Sequence, residues 1–241
     1  MNNQSKTYYI WIVLIIVAVG FVLWMGYSRD GDKEVNAEGW FRGGENAAAV
    51  LVEYSDFQCP ACAGWHPYLK QFESDYGDNI EVVYKHFPLP QHENADITAR
   101  ASEAAGVQGK FWEMHDILFE NQSEWESLAD PNDTLVGYAT DIGLNVEQFT
   151  TDIDSSAVNA IVQKDLTEGR TFGVSYTPYL VLNGEVFDNA QGPDGLKAAI
   201  EAVLVVGGGE KGSDAGTSTD MTTTNASTSN EGTPPAVPDS Y

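Results

Sequence analysis

The 241-residue sequence predicts an α/β domain in which a β–α–β opening and a β–β–α close flank an all-helical insertion. Three observations carry this. Short apolar runs rich in β-branched and aromatic residues occur at Ala47–Tyr54 and Ile80–Phe87, then recur only at Tyr179–Leu182 and Glu185–Phe187. Some eighty residues between the two groups carry apolar positions at helical spacing, which places the insertion, about 93–170, between the second and third strands. Asn183-Gly184, set between the last two runs, is the strongest two-residue hairpin signal.

The elements follow in chain order. After a short tail at 1–7, Tyr8 to Tyr27 (YYIWIVLIIVAVGFVLWMGY) is uncharged over twenty residues. As a helix it spans about 30 Å, enough for a bilayer's hydrocarbon core. Tyr8, Tyr9 and Trp11 at one end and Trp24 and Tyr27 at the other suit interfacial belts. A cleaved signal peptide has a shorter apolar region, about 7–15 residues, so the expectation is an uncleaved signal anchor. Lys6 lies before the span and Arg29 and Lys33 lie after it, so positive charge does not orient it. Residues 28–46 are polar and Gly-containing and read as a linker, with one domain over 47–206.

Within that domain a helix is expected from Pro60 to about Tyr76. Ala99–Ala105, Phe111–Phe119, Leu135–Ile142 closed by Gly143, and Val158–Leu166 read as the helices of the insertion. Leu196, Ala199, Ile200, Val203 and Leu204 mark one face of a terminal helix. Residues 207–241 are Gly-, Ser-, Thr- and Pro-rich with few large apolar side chains. They cannot bury enough surface to offset the entropy of ordering, and are expected to be disordered.

The chain has 36 acidic residues against 12 Lys and Arg, a net charge of −24. Clustered basic side chains are what phosphate neutralisation needs, so nucleic-acid binding and a polybasic grip on lipid are both excluded. The acidity is local: residues 93–169 hold 16 acids and 3 bases, and no Lys or Arg occurs from Phe111 to Gln163. Such a stretch reads first as a solvated helical surface, and second as a field that draws in basic or neutral unfolded chains.

Only two cysteines are present, which rules out a disulfide-stapled scaffold. Cys59-Pro60-Ala61-Cys62 follows the first strand and opens a helix. Cys59 then meets unpaired backbone N–H groups and the helix dipole, which stabilise a thiolate. Pro60 suits the first helical position, where its missing N–H costs nothing. Cys62, one turn on, is expected to be the more buried partner. A purely structural disulfide across so short a loop gains little chain entropy. A metal half-site formed by Cys59, Cys62 and His66, completed from His86, His92 or His115, is the reading from another class. Val174-Ser175-Tyr176-Thr177-Pro178 precedes a strand, and a proline, having no N–H to give a ladder, marks that strand's start.

Taken in order, VEYSDFQCPAC, HFPLPQHENA, QGKFWEMHDILF and GVSYTPYLVLNG resemble a DsbA-like thiol–disulfide oxidoreductase, over about residues 47–204. The resemblance is to the membrane-tethered kind with a thioredoxin-like fold and a helical insertion. It implies that Cys59 and Cys62 form the redox disulfide, and that Thr177-Pro178 is a cis peptide lying against it. Such a peptide would offer the Thr177 backbone to an extended substrate by strand addition. The resemblance further implies that Glu53, six residues before Cys59, is a buried acid beneath the pair. Burial would raise its pKa and let it relay a proton to or from Cys62. Asp56 is expected to be a solvated or capping residue, Lys85 to pair with Glu53 across strands, and Pro67 to play a structural part in the helix. Family members that are strong oxidants carry His before the second cysteine, where this chain has Ala61, so a less acidic Cys59 and a less oxidising pair are expected. Tyr176 stands where the family often has Gly.

The implied function is oxidation of substrate thiols outside the cytoplasm by a protein held in the cell membrane through its N-terminal helix. The implied partners are reduced or unfolded proteins and a membrane quinone-linked oxidase. The sequence carries no flavin, haem or nucleotide motif, so no cofactor is expected. A thiol reductase or isomerase using the same pair, or the metal-binding module above, are the alternatives.

Overall fold

The computed structural model describes residues 39–209. The apolar span at 8–27, the linker as far as residue 38 and the tail beyond residue 209 lie outside the described residues. No helix among those described is long and apolar enough to cross a membrane.

Five strands form one sheet: β1 (Trp40–Gly43), β2 (Ala49–Ser55), β3 (Ile80–His86), β4 (Tyr179–Leu182) and β5 (Glu185–Val186), in the order β1-β3-β2-β4-β5. Strands β2 and β3 run parallel, with Glu53 beside Tyr84, and the other three pairings are antiparallel. A parallel pair needs a crossover, and α1 (Pro60–Tyr76) supplies it. The insertion comprises α2 (Ala95–Val107), α3 (Phe111–Glu120), α4 (Gln122–Trp125), α5 (Asn132–Asp141), α6 (Val146–Ile153) and α7 (Ser156–Phe172). The last element among the described residues is α8 (Gly192–Gly209).

Three apolar clusters follow from this layering. Leu51, Ile80, Val82 and Leu180 on one sheet face pack against Leu69 and Phe72 of α1 and Leu196 and Ile200 of α8. On the other face Tyr54 and Phe87 meet Leu166 of α7. The largest cluster joins Phe57, Cys59, Cys62 and Tyr84 to Phe111, Met114, Leu118 and Trp125 of the insertion. The reactive turn is therefore built into the seam between sheet and helical block.

Two boundaries differ from the sequence reading. Residues 28–46 were expected to be linker, yet Trp40–Gly43 is an edge strand, so the insertion falls between the third and fourth strands of the sheet. The run is polar apart from its aromatics, and these do the work. Trp40 stacks on Phe111 with ring centroids 4.6 Å apart, and its Nε1 donates to Glu103 at 2.8 Å. The last helix also continues to Gly209, past the 206 boundary. Helices α4 and α6 were not expected either. Both are short, and only α6 has a side-chain cap, Asn145 accepting from the Gln148 N–H.

The Trp40 seat leaves no room for a side chain at Gly106 of α2. A Cβ there would lie 2.3 Å from Trp40 Cζ2 and 2.8 Å from Cη2. Alanine favours a helix over glycine by about 1 kcal/mol, but overpacking costs about 1–3 kcal/mol. Gly106→Ala is therefore expected to lower the urea midpoint of unfolding.

Candidate active site

Strand β2 ends at Ser55, and a four-residue turn delivers Cys59 to the N-cap of α1, with extended backbone (φ −73°, ψ 120°) and Pro60 in the first helical turn. Three grips hold the turn. Asp56 accepts from the Gln58 N–H at 2.8 Å, and its other oxygen accepts from the Leu89 N–H at 2.9 Å and lies 2.7 Å from His92 Nδ1. Gln58 donates to the Glu126 carbonyl at 2.7 Å and accepts from the Asn94 N–H at 2.6 Å. Gln122 of α4 donates to the carbonyls of Phe57 at 2.6 Å and Cys59 at 3.1 Å. Asp56 is thus buried and multiply bonded rather than solvated, because the 87–94 loop folds over it.

Both cysteines are free thiols here, Cys62 fully buried and Cys59 6% exposed. Cys59 Sγ donates to the Thr177 carbonyl at 3.4 Å, and the Thr177–Pro178 peptide is cis. The two sulfurs are driven in opposite directions. A hydrogen bond from the Cys62 thiol lowers the Cys59 pKa to about 5; burial opposes this, and the Thr177 side chain and the N–H groups of Cys62 and Ala61 add to it. In the dithiol form the buried Thr177 hydroxyl has no partner among the described residues, so it is available to the thiolate. Burial, the hydrogen bond given to Cys59 and the charge of Glu53 push Cys62 well above the ordinary thiol range. One proton and one charge are therefore divided unequally between two sulfurs one helical turn apart.

Glu53 lies beneath this pair, 3% exposed. Burial raises its pKa from 4.5 to about 7, against the lowering effect of the Ser55 hydroxyl, which donates to Oε1 at 2.7 Å. Lys85 does not pair with it. Glu53 faces Tyr84 in register, so Lys85 emerges on the opposite face, 3.4 Å from Asp165 and 3.2 Å from Glu168. Pro67 lies within α1 as expected. Tyr176 is exposed beside Thr177, its ring 5.1 Å from that of Tyr179.

The histidines gather around acids. His86 lies 2.8 Å from Glu103, and His66 and His115 meet Asp116. Ligand atoms of His66, His115 and Asp116 lie within 4.8 Å of one another, the one group among the described residues with metal-ligand spacing, and it contains neither cysteine. The half-site of Cys59, Cys62 and His66 is therefore not assembled. Asp116 is already held by Arg42 at 3.3 Å and Lys70 at 3.1 Å.

Sequence reasoning missed Ser55, Gln58 and Gln122. Ser55 had a signal, being two residues from Glu53 on a strand and so on the same face. Gln122 had none, since its hydrogen bonds cross more than sixty residues.

The thioredoxin family model matches residues 36–202 of this chain. The Na(+)/H(+) antiporter NhaA of Herminiimonas arsenicoxydans is 37% identical over 161 residues, 67% of this chain and 25% of that protein. Antiporter NhaA 1 of Mycolicibacterium vanbaalenii is 39% identical over 148 residues, covering 59% and 23%. The chain thus spans about a quarter of the length of these curated relatives. Among solved structures, oxidised BdbD from Bacillus subtilis superposes with a TM-score of 0.63 at 22% identity, over 73% of this chain and 97% of that one. The α-DsbA1 protein of Wolbachia pipientis gives 0.63 at 17% identity, over 72% and 94%. At such identities the superpositions speak for the fold.

Two titrations check the site. Alkylation of Cys59 in the reduced protein is expected to rise with a midpoint near pH 5, measured with iodoacetamide. For Glu53, an unfolded chain ionises near 4.5 and the folded one near 7. The folded state then holds the extra proton between those values, and stability is lost as pH rises through that window. Glu53→Gln removes that loss, so relative to wild type it should gain on the order of 2–3 kcal/mol between pH 4 and pH 8 in urea unfolding.

Proposed function

The chain belongs to the thioredoxin family and has the DsbA-like form of its fold, and from that premise we propose that it is a membrane-anchored oxidase of protein thiols acting outside the cytoplasm. One observation carries the proposal. The two sulfurs of the CPAC pair have opposite proton affinities, and the more acidic one touches the Thr177 carbonyl at the start of β4.

A substrate thiolate attacks Cys59 Sγ, the Cys59–Cys62 bond breaks, and Cys62 departs with the electron pair. Its high proton affinity requires a proton, which Glu53, half protonated near pH 7, supplies. A second substrate thiolate then attacks the substrate's own sulfur in the mixed disulfide, and Cys59 leaves as a thiolate. The substrate gains a disulfide and the enzyme two electrons. Stabilising the Cys59 thiolate favours the reduced enzyme and so makes the disulfide an oxidant. A pKa of about 5 lies between the values of about 3.5 for DsbA and about 7 for thioredoxin, in keeping with Ala61 in place of His.

The extracytoplasmic placement rests on the redox chemistry, since disulfides form and persist outside the reducing cytosol. The anchor rests on the uncharged run from Tyr8 to Tyr27. Reoxidation passes two electrons to a membrane quinone-linked oxidase while the Cys62 proton goes back to Glu53 as the disulfide re-forms, and the substrates are reduced or unfolded proteins.

Cys59→Ala is expected to abolish oxidation of a reduced, unfolded test protein. Cys62→Ala should accumulate mixed disulfides that reducing agent releases on a gel. Unchanged turnover in both variants would contradict the proposal.

A further inference from the structure

The row of β2 that faces α1 reads Ala49, Leu51, Glu53, Ser55: two apolar residues beneath the α1–α8 layer, then two polar ones where α1 begins. Both polar residues are buried. Ser55 Oγ lies 2.7 Å from Glu53 Oε1, and it supplies the hydrogen bond that Glu53 has among the described residues. The same hydroxyl acts on the Cys62 sulfur as a hydrogen-bond donor that lowers its pKa, against the burial that raises it. A serine hydroxyl has one proton and two lone pairs, so it can accept from one neighbour while donating to the other.

Tyr84 shares the Ser55 hydroxyl with this line, and the remaining groups around Glu53 sit apart from it. A cavity of about 10 Å³, room for about one water, is lined by Glu53 together with Arg42 of β1, His66 and Glu73 of α1, Tyr84 of β3 and His115 of α3. Of these, Glu73 raises the Glu53 pKa and Arg42 lowers it, the charge of Cys59 adds to the rise, and none of the lining groups is hydrogen-bonded to its carboxyl.

We propose that Ser55 is the proton relay between Glu53 and Cys62. The inference rests on the thiol–disulfide function proposed above. When the Cys59–Cys62 bond breaks, Ser55 gives its proton to the departing Cys62 sulfur and takes the Glu53 proton in its place. The products are a Cys62 thiol, a Ser55 hydroxyl turned to Glu53, and a Glu53 carboxylate. When the pair is reoxidised the proton returns by the same two transfers, and Ser55 ends each half-cycle unchanged.

The test is the rate at which dithiothreitol reduces the oxidised full-length protein, followed by stopped-flow tryptophan fluorescence against pH and normalised to the dithiothreitol thiolate. In the wild type the normalised rate should fall as pH rises through the titration of Glu53 near 7. Ser55→Ala should slow the reaction about a hundredfold below that inflection and flatten the profile, the lower end of what a positioned acid contributes. Glu53→Gln should do the same, and the double variant should be no slower than either single one. Ser55→Thr, which keeps a hydroxyl, should restore both rate and inflection. An inflection that survives in Ser55→Ala, additive losses in the double variant, or a folded Ser55→Thr protein with a flat profile would each overturn the relay alone. A wild-type protein in which no Cys59–Cys62 disulfide forms would overturn the redox function, and the relay with it.

Discussion

One negative charge must be held in a nearly dry site by two sulfurs one helical turn apart, and the rest of the structure is arranged around that constraint. A buried thiolate is costly unless donors surround it. Here the donors are the Cys62 thiol, the Thr177 side chain and the first N–H groups of α1. They come from two distant stretches of chain, so the site exists only when β2, α1 and the start of β4 are docked together. Reactivity depends on the same asymmetry: Cys59 is a good leaving group because its charge is solvated by the protein, and Cys62 needs a proton because its charge is not.

The helical insertion serves this site as a clamp. Gln122 and Asn94, both from the insertion, hold the carbonyls and side chains of the turn that presents Cys59. Phe57, inside that turn, packs on Phe119 with ring centroids 4.8 Å apart. On the opposite flank β1 ties the edge of the sheet to the block through Trp40 and Glu103. The net −13 of residues 93–169 therefore belongs to the element that frames the reactive turn, even though that element also buries much of the apolar core.

Much of this was legible in the sequence because the signals were local. Strands β2 and β3, helix α1 and the Asn183-Gly184 hairpin were marked by apolar periodicity, by Pro60 and by a dipeptide whose turn chemistry is specific. Cys59, Cys62 and Thr177-Pro178 were legible as motifs. What was not legible depended on contacts far along the chain. Trp40 reads as one aromatic residue in a polar run, and becomes part of a strand only because Phe111 and Glu103 wait for it. Asp56 looked like a surface turn residue because the loop that buries it begins some thirty residues later. Lys85 was misplaced by one step of strand alternation, which sends a side chain to the other face of the sheet.

The direction of electron flow is where the central claim is most exposed. The redox state of the Cys59–Cys62 pair in the producing cell tests it directly, by acid quenching, labelling free thiols with a high-mass maleimide and resolving the forms on a gel. An oxidase kept charged by a membrane partner should be found mainly as the unlabelled disulfide. A pair found mainly reduced, with both thiols labelled, would contradict the account.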